Sequence, residues 1–88
     1  MLFMVIERFK EGDPQPVGER FRKSGRMLPE GVIYHASWMD LDGSRCFQIM
    51  ESPNLDLLKV WTDCWDDLVD FEVIPVLTSG DYWSRATP

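Results

Sequence analysis

The chain reads as one ferredoxin-like α+β domain, a βαββαβ unit whose four-stranded antiparallel sheet carries two helices on one face. Three observations predict it. Short apolar runs rich in β-branched and aromatic residues alternate with turn signals. Two stretches of helical spacing follow the first and third of these runs. An Asp-Gly pair joins the second and third runs as a hairpin. A length of 88 residues leaves room for one domain, placed at residues 1–78 with a C-terminal tail over 79–88.

The first run, Leu2–Phe9 (LFMVIERF), is a strand broken by Glu11-Gly12. Asp13-Pro14 then offers a helix cap followed by proline at the first helical position. Val17, Phe21 and Leu28 recur at helical spacing, so a helix is expected from about Pro14 to Met27, weakened by Gly18 and Gly25. Its basic last turn suits the helix dipole. Pro29 and Gly31 end it. Val32–Leu41 and Arg45–Glu51 are the hairpin strands around Asp42-Gly43. Asn54 caps a second helix whose apolar stripe is Leu55, Leu58, Trp61, Trp65 and Leu68. Asp70–Thr78 is the last strand, and Pro75 within it argues for an edge position or a bulge.

The hairpin sets an expected register. A two-residue turn pairs Leu41 with Ser44, Asp40 with Arg45, Trp38 with Phe47 and Ala36 with Ile49. That apolar face is expected against the helices. The opposite face would carry Met39 with Cys46, Ser37 with Gln48 and His35 with Met50. The first and last strands are apolar on both sides as well, whereas a sheet covered on one side alone should alternate apolar with polar. The open face therefore calls for a cover, and a second copy of the chain, a homodimer, is the expected one.

Nine Lys and Arg stand against fifteen Asp and Glu, for a net charge of −6. Nucleic acid and anionic membrane surfaces both call for a basic face, so neither is an expected partner. No apolar run approaches the ~20 residues that cross a bilayer, and Met1–Lys10 is too short and too charged for a signal peptide. Cys46 and Cys64 form no CxxC pair, so both are expected reduced, in the cytoplasm.

Candidate site residues are few. His35 is the single histidine, the side-chain type that titrates near neutrality. With Ser37 and Gln48 it would form a polar cluster on the open face, either a general base with ligand-binding groups or a satisfied set at a dimer interface. The latter is the plainer reading. Cys46 nearby is read as packing rather than as a reactive thiol, and Cys64 more so. Trp38, Trp61 and Trp65, with Phe47 and Tyr34, could wall a pocket for a flat organic ligand, although aromatic residues serve a small core equally well. The acidic run Asp63, Asp66, Asp67, Asp70 and Glu72 lacks the spacing and glycine of a calcium loop and reads as a solvated surface, with no metal expected. The tail is expected to be loose; its Tyr82 and Trp83 either dock on the body or on a partner, or equally belong to a disordered end. No phosphate loop, zinc spacing or Ser-His-Asp set is present in the sequence, and no cofactor is expected.

The runs LFMVIERF, GRMLPEGV, SWMDLDGSRCFQIME and DLVDFEVIPV resemble a family of short bacterial domains of unknown function, over roughly residues 1–78. That family is similar to the dimeric α+β barrel superfamily, which includes antibiotic-biosynthesis-type monooxygenases, haem-degrading enzymes, muconolactone isomerases and stress-response dimers. The resemblance implies the fold and a homodimer. Several such enzymes use an asparagine on the first strand with tryptophan and often histidine nearby. Here the one asparagine, Asn54, precedes the second helix, and His35 lies on a strand, so no catalytic residue carries over. The sequence leaves three readings. One is a dimeric barrel domain binding a small organic ligand. The second is a cofactor-independent monooxygenase or isomerase acting near His35, Trp38 and Trp61. The third is a protein-interaction module.

Overall fold

Residues 1–86 are described by a computed structural model. The alternation in the first run forms β1 (Leu2–Phe9), which turns Phe3, Val5, Glu7 and Phe9 inward. One turn of 3-10 helix at Lys10–Gly12, with Glu11 and Gly12 both at positive φ, reverses the chain. Asp13 Oδ1 then accepts the Gln15 N–H at 3.0 Å and opens α1 (Gln15–Ser24). This helix is shorter than the spacing predicts, because Gly25 adopts φ +67° and closes it. β2 (Ile33–Met39) and β3 (Arg45–Glu51) follow. Asn54 Oδ1 accepts the Leu57 N–H at 2.8 Å, as its cap position predicts, and begins α2 (Leu55–Asp63). β4 (Val69–Val76) completes the sheet.

The four strands are antiparallel in the order β2-β3-β1-β4, the ferredoxin-like arrangement that the element order predicts. Pro75 falls on the edge strand β4, where a missing N–H is tolerated. Ser37↔Gln48, Trp38↔Phe47 and Met39↔Cys46 pair as the hairpin predicts. Two details differ. The connection is the five residues 40–44, because β2 ends at Met39, Asp40 C=O accepts the Gly43 N–H and β3 starts only at Arg45. The Asp40 carboxylate secures that loop by accepting from Ser44 N–H, Arg45 N–H and Arg45 Nε–H. Further along, a β-bulge at His35 shifts the register so that Tyr34, not His35, opposes Met50.

The face assignment is reversed relative to the sequence expectation. Phe3, Val5 and Met50 pack against Leu58 and Trp61 of α2 and against Trp65 just beyond it. Val17 of α1 packs on the same side. Cys46 and Gln48 of β3 are therefore buried, and Ser37 lies on that side, while Trp38, Phe47, Ala36 and Ile49 face outward. The pattern misleads because the outward set, Ala36, Trp38, Phe47 and Ile49, is the more apolar of the two. Gln48 and Glu7 can go inside because each finds a partner there.

α1 buries no residue fully. Arg20 ties it to the turn after α2, with a two-pronged pair to Asp67 at 2.7 Å on both arms and a bond to the Cys64 carbonyl at 3.0 Å. That guanidinium holds the Asp67 carboxyl below its ordinary value. The acidic run is thus partly shared out among basic residues, Asp70 going to Lys10 at 3.9 Å and Glu72 to Arg8 at 3.0 Å.

The segment expected as a loose tail is in part a helix, α3 (Ser79–Ala86). Thr78 Oγ1 accepts the Asp81 N–H at 3.1 Å and caps it. The final residues of that tail, 87 and 88, lie outside the described residues.

Candidate functional site

The predicted site residues divide into three groups. Ser37 and Gln48 join a network on the helix side of the sheet. Glu7 on β1 accepts hydrogen bonds from Cys46 and Gln48 on the neighbouring β3. Ser37 bonds to Cys46 and shares a 2.7 Å hydrogen bond with the Tyr34 hydroxyl. The Arg26 guanidinium lies over the Tyr34 ring, 3.7 Å from its centroid. Burial pushes the Glu7 carboxyl above its ordinary value against those bonds and the charge of Arg26. Burial and the neighbouring Glu7 charge push the Cys46 thiol up to about 12, so it stays protonated and inert at neutral pH. Gln48 Oε1 is buried with no partner.

Trp61 and Trp65 are core residues, and both indole N–H groups donate to one acceptor, the Arg26 carbonyl, at 3.0 and 3.2 Å. They hold the chain leaving α1 against α2. Neither lines the groove at Tyr82 and Trp83 or the two smaller hollows beside α1.

His35 and Trp38 lie on the outer face. That face is built of rows running across all four strands. Ala36–Ile49–Met4–Ile74 is wholly apolar, and Trp38–Phe47–Ile6 extends it before ending on Glu72. Asp40–Arg45–Arg8–Asp70 bounds one end in charge. Trp38 is 57% exposed at the rim of this surface. The bulge turns His35 outward, where its Nε2 lies 2.8 Å from Glu51 Oε1. A carboxylate only accepts, so the ring carries its proton on that nitrogen.

Glu51 also lines a groove of 780 Å³ between α3 and the end of the sheet. Its floor is the row Glu51–Leu2–Val76, and its far wall is formed by Asp81, Tyr82 and Trp83 of α3. The two rings meet edge to face, with centroids 5.2 Å apart and planes at 87°. Sequence reasoning noted Tyr82 and Trp83, as docking residues or as part of a disordered end, but not Glu51 or Asp81 as their neighbours. That signal depends on a helix which the sequence does not advertise.

No group of three His, Cys, Asp or Glu side chains able to hold a metal occurs among the described residues. No helix among them is long and apolar enough to cross a membrane. No curated protein and no solved structure matches the chain. A family model does match, over residues 1–86, nearly the full length. The chain therefore belongs to the family described as a domain of unknown function, DUF3303.

Proposed function

We propose that this domain binds a small organic ligand in the groove beside α3 and works as a homodimer joined through the outer face of its sheet. The groove carries the first part. Its 780 Å³ falls within the several-hundred-Å³ range of small-molecule sites. It combines apolar walls, two aromatic rings and a few polar groups, as such sites do. The apolar rows around Met4 and Ile49 support the second part, because surfaces of that kind in a soluble domain mark association. The strand order and the two helices on one face also support the likeness to a dimeric α+β barrel.

Thermal shift with flat aromatic, quinone, lactone, haem-like and amine compounds tests the groove. A specific ligand at 100 times its Kd adds about 2.7 kcal/mol of stability, and Trp83→Ala removes most of that response. If no compound stabilises the chain, or Trp83→Ala responds in full, the groove reading fails and a protein-interaction module on the outer face takes its place.

The His35–Glu51 pair favours one further reading, proton-transfer chemistry of the cofactor-independent monooxygenase or isomerase kind, with His35 as a base oriented by a carboxylate. Full turnover by His35→Ala on a ligand found in the screen would remove that histidine from any such reaction.

A further inference from the structure

We propose that the groove selects an organic cation, a primary or quaternary amine carrying an apolar group. This inference rests on the ligand-binding reading of the same groove. Its floor and its far wall each bring a carboxylate, Glu51 from β3 and Asp81 from α3. Tyr82 and Trp83 stand beside Asp81 on that wall, set at right angles. An ammonium group near aromatic faces is attracted by the ring quadrupoles, and two rings in a corner with acids close by are the parts of an aromatic cage. The remaining lining, including Leu2 and Val76, suits the apolar body of such a ligand.

Met1 also lines the groove, and its ammonium, which donates to the neutral Ser52 carbonyl at 3.0 Å, sets one positive charge against the two carboxylates. His35 engages Glu51 through Oε1, which leaves the second carboxylate oxygen to a ligand. Anions would meet two carboxylates in a chain already at −6. A bare metal ion finds no set of three ligating side chains here among the described residues. A neutral aromatic fits the walls but leaves both acids unused. The organic cation engages both acids and both rings.

The test is an NMR titration of the full ¹⁵N-labelled chain with three probes of similar shape: benzyltrimethylammonium, benzyl alcohol and benzoate. Backbone signals of Leu2, Glu51 and Tyr82 and the Trp83 indole N–H report on the groove. The expected result is that the ammonium probe moves these signals with an affinity at least about tenfold above that of the alcohol, and that benzoate is weakest. Glu51→Gln and Asp81→Asn should each bring the ammonium affinity toward the alcohol's while leaving the alcohol's unchanged. Trp83→Ala should weaken both. The same spectra show whether each variant is folded. Equal affinities for ammonium and alcohol would overturn the charge selection and keep the groove as a site for neutral ligands. Stronger binding of benzoate would overturn it by reversing its sign. Silence at the groove with all three probes would overturn it too, while the wider thermal screen separately decides whether the groove binds anything.

Discussion

Glu7 lies on an interior strand with its carboxyl facing the helices, and burial raises it above the ordinary value of 4.5. For an acid raised in this way, the folded state holds its proton to higher pH than the unfolded state does. Folding is then fully favoured below 4.5 and loses stability as pH climbs from there through the raised value. Glu7→Gln keeps the shape, removes the charge and places an amide donor beside the unpartnered Gln48 Oε1. Its expected effect is a flatter stability profile between pH 4.5 and 8 and a gain of about 1 kcal/mol at pH 8. Urea unfolding across that range measures both. A variant with the wild-type slope would show that another group titrates.

At the scale of elements, α1 is weakly anchored to the sheet. It buries no residue fully, its Phe21 is exposed, and Arg20 provides its polar tether to Asp67 and the Cys64 carbonyl. Arg20→Ala should loosen the helix without unfolding the sheet. In hydrogen exchange, the amides of Gln15–Ser24 should lose protection while those of β1 and β3 keep theirs. Uniform loss would mean that α1 and the sheet open as one unit. The limits of β1 and β3 were legible in the sequence because polar turns bracket clean runs. The bulge at His35 was not, since neither glycine nor proline marks it. The inward face was equally hidden, because Phe47 and Ile49 are more apolar than Cys46, Gln48 and Met50 and yet face outward. Only the large indoles above Phe3, Val5 and Met50 decide between them. α3 was missed because it is short, polar and contains Gly80, and is begun by a single threonine cap. The candidate groove went with it.

At the scale of the whole molecule, the described residues span 49 × 30 × 17 Å, and the outer face of the sheet, with Met4 between Ile49 and Ile74, lacks a covering layer. A homodimer built on that face should give a light-scattering mass near twice 10.3 kDa over a wide dilution range. Met4→Lys puts a charge at the centre of the apolar rows and should return the mass to that of one chain with the fold intact. A single-chain mass for the unaltered protein at every concentration would overturn the homodimer.

The two margins of the sheet carry a consequence of another kind. One outermost strand holds Pro75, a residue with no N–H to offer an incoming strand, together with the charged Asp70 and Glu72. The other outermost strand is broken out of regular pairing by the bulge at His35. Both margins are poor templates for another chain to extend the ladder, the route by which β proteins polymerise into fibres. Association by this domain is thereby steered away from endless growth and toward assemblies that close on themselves.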